Sequence, residues 1–118
     1  MRHRVKNNRL GRAHDHRKAL MRNLITSIFM EKKIRTTKAR AKELSRAIDK
    51  LFTSFRKKDL ANGIRLLKTV FNNKQSSKEF VKINDQFADI KSGFTRITPI
   101  GFRSGDAAEM VQVEFCQK

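Results

Sequence analysis

Lys38-Ala39-Arg40-Ala41-Lys42-Glu43-Leu44-Ser45-Arg46-Ala47-Ile48-Asp49-Lys50-Leu51-Phe52-Thr53-Ser54-Phe55 is the stretch on which the fold turns. Ala41, Leu44, Ile48, Leu51, Phe52 and Phe55 recur at three- and four-residue steps, the stripe of one buried helical face. Lys38, Lys42 and Arg46 fall on the opposite side at i, i+4 spacing. This pattern predicts a helix that leans on a core and turns a basic back to its surroundings. Just before it, Ile34-Arg35-Thr36-Thr37 is short and β-branched, and predicts a strand. Lys32, Lys33, Arg35 and Lys38 give that strand a charged outer side. A strand that runs straight into a helix must share its core, so sheet and helices belong to one layered unit.

Towards the N-terminus, the pairs Leu20/Met21, Leu24/Ile25 and Ile28/Phe29 repeat every four residues and predict a helix over 16–32. Asp15 stands where a carboxylate can accept the free N–H groups of its first turn. Lys18, Arg22 and Thr26 are expected on the face away from the core.

Towards the C-terminus, Arg56-Lys57-Lys58 reads as a turn and Asp59 as the cap of a third helix carrying Leu60, Ile64, Leu67 and Phe71. Gly63 within it costs about 1 kcal/mol relative to Ala, so this helix depends on packing. After the polar break Asn72-Asn73-Lys74-Gln75, Ser76 and Glu79 have capping-box spacing and open a short fourth helix, with Phe80 and Ile83 inward. Residues 84–92 form an irregular link anchored by Phe87. From Gly93 the period falls to two. Phe94 to Thr98 is a strand that ends, or lies on an edge, at Pro99, which has no N–H. Met110 to Cys116 alternates Val111, Val113 and Phe115 against Gln112 and Glu114, and 101–106 is a glycine-punctuated hairpin loop. The order αβαααββ predicts an α+β domain, four helices packed on a small three-stranded mixed sheet.

The arm that precedes this domain is of another kind. Residues 1–13 hold five Lys/Arg and no carboxylate, and lack any apolar period. Ordering a chain costs on the order of 1–2 kcal/mol per residue, which burial cannot offset here, so the arm is expected to take its structure from a polyanion. We therefore divide the chain into an arm (1–13) and one globular domain (14–118). Net charge is +17 and uneven: residues 1–46 carry 15 Lys/Arg against Asp15, Glu31 and Glu43, or +12. Such a field favours nucleic acid or another anionic surface. Candidate contacts are Arg2, Arg4, Arg9, Arg12 and Arg17, whose guanidinium forks suit phosphate oxygens. Next come Lys6, Lys18, Arg22, Arg35, Lys38 and Lys42, then His3 and His16, then Arg96 and Arg103.

Other chemistry finds little support. His14-Asp15-His16 is badly spaced for a helical metal site, and no carboxylate–cysteine cluster completes it. Gly101 to Gly105 lacks the Gly-Lys-Ser/Thr ending of a phosphate loop. Cys116, the one cysteine, rules out an internal disulfide and fits a reducing compartment. No run approaches the roughly 20 apolar residues of a membrane span. Neither enzyme activity, metal, cofactor, small-molecule substrate nor membrane is expected.

Several motifs in order resemble the L-seventeen family of bacterial large-subunit ribosomal proteins. They are Met1-Arg2-His3-Arg4, Gly11-Arg12, His16-Arg17-Lys18-Ala19-Leu20, Arg22-Asn23-Leu24, Ile34-Arg35-Thr36-Thr37 with Lys38-Ala39-Arg40-Ala41-Lys42-Glu43-Leu44, Gly93-Phe94-Thr95-Arg96-Ile97, and Gly101-Phe102-Arg103-Ser104-Gly105-Asp106-Ala107-Ala108. The resemblance runs from Met1 to about Phe115 and is loose over 56–90. It departs at His14-Asp15, where members usually carry small hydroxyl residues, at Ser92 for Gly, Phe94 for Tyr and Glu109 for Pro.

The resemblance implies a structural constituent of the large ribosomal subunit in the cytoplasm, stapling large-subunit ribosomal RNA beside neighbouring ribosomal proteins. It also implies a place on the solvent side, near the peptide exit. An architectural DNA-binding protein or a membrane-active cationic protein would share the charge. The first needs a dimer helix pair or a groove-entering arm, the second an exposed amphipathic helix.

Overall fold

A computed structural model describes residues 3, 8–57, 60–71 and 73–116 of the chain. Its elements are α1 (His14–Glu31), β1 (Lys33–Thr37), α2 (Lys38–Phe55), α3 (Leu60–Val70), α4 (Lys74–Gln86), β2 (Thr95–Phe102) and β3 (Glu109–Phe115). The α+β class is as expected, and α2 has the bounds its period predicted. Asp59, the expected cap of α3, lies outside the described residues.

The sheet is not mixed. Its order is β1-β3-β2, and β3 runs antiparallel to both neighbours. β2 and β3 form a hairpin, and β1 joins the far side of β3; β1 and β2 are thus parallel, but β3 separates them. Alternation sorts the faces. Ile34 and Ile97 flank Val113 on the inner face, with Thr36 beside Val111. Arg35 and Thr98 flank Gln112 on the outer face, and Lys33 and Arg96 flank Glu114.

The helices cover the inner face, and α2 is the central one: Ala41, Leu44, Ile48 and Phe52 are wholly buried. Ser45 and Thr95 share a hydroxyl hydrogen bond of 2.9 Å that ties α2 to β2. Phe29 of α1 is the hub of the aromatic core, its ring 5.0–6.0 Å from those of Phe52, Phe71, Phe80 and Phe115. Phe52 stacks on Phe94 at 4.4 Å, joining the helices to the start of β2. Phe87 is buried as the anchor of its link, although α4 runs on through Gln86 and shortens that link.

Local chemistry differs from expectation in four places. The residue before α1 is Ala13, with no side-chain cap, and Asp15 sits within the first turn beside His14. The cap of α4 is Asn73, whose Oδ1 accepts the Ser76 N–H at 2.8 Å. Ser76 is buried in the first turn, and Glu79 turns to Lys32 and Lys82 at 2.7 and 3.3 Å instead of closing a capping box. Ile64 of α3 is half exposed, since the inward side of this short helix is carried by Leu67 and by Phe71 just beyond it. Finally, β2 runs on past Thr98 to Phe102, so of the two readings of Pro99 the edge placement holds and the strand end does not. The strand continues through an irregularity between Pro99 and Gly101, tolerated because β2 is an edge without a neighbour on its far side.

Candidate nucleic-acid interface

The last residues of the arm turn back onto the domain. Leu10 and Gly11 both adopt positive φ, 56° and 65°, the left-handed region that glycine enters freely. The Leu10 N–H donates to Asn8 Oδ1 at 3.0 Å, and the Asn8 N–H donates to Glu43 Oε1 of α2, also at 3.0 Å. This tight turn places Asn8 and Leu10 over a crevice between α1 and α2, lined by Arg17, Met21, Arg46 and Lys50. Asn8 and Leu10 are therefore seated on the helices, an anchorage that the composition of the arm did not lead one to expect. Arg2, Arg4 and Lys6 lie outside the described residues.

Around this seat Arg9, His16, Lys18 and Lys42 are exposed and Arg12 and Arg17 half-buried; His3, further out in the arm, is exposed too. Arg9, Arg17, Lys18 and Lys42 make no ion pair with another described residue. These are five fixed cations, counting Arg12, on two helices and a pinned turn. Lys50 belongs with them and was missed, although it extends the Lys38/Lys42/Arg46 row by one step.

Arg22 behaves differently. Its guanidinium donates to the Phe71 carbonyl at 3.4 Å across to the end of α3, and Thr26 Oγ1 is buried. α3 covers the face of α1 that was expected to be free, so the candidate contact Arg22 also serves as a packing residue.

Arg35 and Arg96 stand on the outer face of the sheet, away from the helices and the arm. The structure divides the expected interface into two surfaces. Lys33 joins the second surface, signalled by its place two residues before Arg35, but Glu114 lies between Lys33 and Arg96. The basic field there is weaker.

The fold uses other cations itself. Arg103 grips Asp106 with two hydrogen bonds, 3.0 and 2.6 Å, and Ala108 N–H adds a third to the same carboxylate. Arg103 holds Asp106 down to about 2 and is itself raised by it. Lys38 pairs with Glu109 at 3.3 Å. Lys32 closes α1 in a left-handed turn and reaches back to the Phe29 carbonyl at 3.2 Å while holding Glu79. Arg56 lies over the Phe94 ring at 4.9 Å and donates to the carbonyls of Phe87 and Ile90. Nothing in the sequence separates these four from phosphate ligands, because each partner comes from a distant or looped segment.

Among the described residues no three His, Cys, Asp or Glu side chains gather as a metal site, and no helix is long and apolar enough to cross a membrane. A family model described as Ribosomal protein L17 matches residues 20–116. The chain belongs to this family. Large ribosomal subunit protein bL17 of Desulforamulus reducens is 42% identical over 106 residues, covering 90% of this chain and 95% of that protein. The protein of the same name from Syntrophotalea carbinolica is 39% identical over 118 residues, 100% of this chain and 76% of its own length. That of Borrelia turicatae is 39% identical over 111 residues, 94% and 90% respectively. The L17 match spans most of α1, all of α2 and the complete sheet, and begins after the arm and Arg17.

Proposed function

We propose that this L17-family chain is a structural constituent of the large ribosomal subunit, with no catalytic role, and that it staples ribosomal RNA by neutralising phosphates. The observation that carries the mechanism is the distribution of charge. Residues 1–46 hold +12 of the total +17, and Arg9, Arg17, Lys18 and Lys42 around the arm's seat make no ion pair with another described residue. In this reading 1–13 is the grip and 14–118 the body that positions it. Arg2, Arg4, Lys6, Arg9 and Arg12 reach between RNA segments. Arg17, Lys18 and Lys42 spread the contact over α1 and α2. Arg35 and Arg96 touch RNA only where a second segment passes the outer sheet face, and neighbouring ribosomal proteins complete the surroundings.

The test is co-sedimentation of the untagged protein with large subunits in low-magnesium gradients, paired with a variant deleted for residues 1–12. The full chain should travel with the subunit. The truncated chain should fold, stay soluble and be depleted from the particles. Normal incorporation of the truncated chain would overturn the stapling mechanism, and absence of the full chain from the particles would overturn the ribosomal role.

A further inference from the structure

Eight of the nine phenylalanines lie in one network of ring contacts; Phe102, at 72% exposure, does not. Ile100 is 49% exposed beside it, and Pro99 is exposed as well. Along a strand, residues two apart are about 7 Å from each other, close enough to enter one pocket. Ile100 lies within the irregularity between Pro99 and Gly101 and has no partner in the register, and Phe102 stands opposite the exposed Glu109, beyond the end of the core.

The charges around this knob cancel. Arg103 is held by Asp106, and Lys38 is held by Glu109, the residue opposite Phe102 in the register. The next cation along the strand, Arg96, is six residues from Phe102 and four from Ile100, roughly 20 and 13 Å. In a chain of net charge +17, this hairpin is a locally neutral, apolar surface. A phosphate backbone would gain little here. Backbone pairing with another strand edge is also disfavoured, since Pro99 has no N–H and the irregularity breaks the hydrogen-bond ladder.

We propose that Ile100 and Phe102 are anchors for a protein neighbour, entering an apolar pocket on its surface through side chains alone. The inference rests on the ribosomal reading and adds the place and chemistry of one partner contact. Arg103 acts as a positioning residue, because its clamp on Asp106 shapes the loop that carries the knob.

The experiment places a photo-crosslinking phenylalanine analogue at 102, and separately at 100, in cells, followed by purification of large subunits. Both positions should give protease-sensitive, nuclease-resistant adducts to the same ribosomal protein. Adducts to RNA, adducts to a second copy of this chain, or no adduct in particles that contain the labelled protein would each overturn the proposal. Absence of the labelled protein from the particles, shared by the unlabelled chain, would instead count against the ribosomal reading. An I100S/F102S double variant supplies a second measurement. It should keep its melting temperature and its affinity for an RNA fragment, yet fall severalfold in subunit occupancy. Unchanged occupancy would overturn the proposal.

Discussion

The two ends of this molecule use their cations in opposite ways. At the arm's seat, Arg9, Arg17, Lys18 and Lys42 face solvent or its edge without a carboxylate partner among the described residues, although Glu43 is near enough to hold Asn8 and Arg46. At the tip of the β2–β3 hairpin Arg103 and Lys38 are tied to Asp106 and Glu109, and apolar side chains stand out instead. The difference teaches that charge in a strongly basic protein is not uniform in purpose. Cations with internal partners shape loops, whereas those without one leave a field that only a polyanion can neutralise. Exposed ion pairs contribute little stability, so the hairpin's pairs matter for the shape of its loop.

Salt offers the largest contrast. With about 6–10 phosphate contacts, affinity for a large-subunit RNA fragment should fall roughly 10³–10⁵-fold between 50 and 200 mM salt, somewhat less where single strands are gripped. The I100S/F102S variant should show the same slope as the parent chain. Fluorescence titration checks both, and a flat response of the parent would erase the distinction between the ends.

The comparison assumes a rigid frame between them, which Leu44 tests. It is wholly buried, so Leu44→Ala should cost roughly 2–5 kcal/mol through the cavity it leaves. Lys42→Ala, exposed on the same helix, should stay within about 0.5 kcal/mol in the same thermal melts.

Arg56 sharpens the point about internal cations. Arg56→Met retains much of the stem over Phe94 and removes the donors to the Phe87 and Ile90 carbonyls. A loss of about 1–3 kcal/mol is expected, the cost of leaving such groups without partners, with RNA affinity unchanged. Reduced RNA affinity at unchanged stability would move Arg56 to the binding surface.

The smallest effect is at acid pH. Asp106 has its pKa lowered from 3.8 to about 2 by Arg103. A depressed carboxylate contributes stability that is complete above its unfolded value and lost as pH falls through the folded one. Amide protection of the hairpin should therefore weaken between pH 3.8 and about 2, while D106N should remove that step. Hydrogen exchange across this range would read it, and a hairpin indifferent to pH would mean that the clamp does not hold the loop.

Much of the frame was legible because periodicity is a local property. The α2 stripe, the Val111/Val113/Phe115 alternation and the inward Phe80 and Ile83 follow from side-chain direction alone. Turn and cap chemistry was less legible. Asn73 and Ser76 offer equivalent oxygens three residues apart, and packing of Ser76 into the core selects Asn73 as the cap. Ile64 matches its helical stripe, but α3 is too short to bury all of it.

What the sequence determined by itself is the number and type of elements, the buried stripes, the imbalance of charge and the L17 motifs, each carried by residues close together in the chain. Tertiary structure alone decided the antiparallel order, which depends on β1 finding β3 across more than seventy residues. It also decided the seat of the arm on Glu43 and the separation of Arg35 and Arg96 from the arm. Above all it chose which cations are consumed. Arg22, Lys32, Arg56 and Arg103 have the same composition and exposure potential as Arg9 or Lys18. Only the arrival of the Phe71, Phe87 and Ile90 carbonyls, with Glu79 and Asp106, gives them partners within the chain, because a guanidinium or ammonium takes whichever oxygens the fold brings within reach.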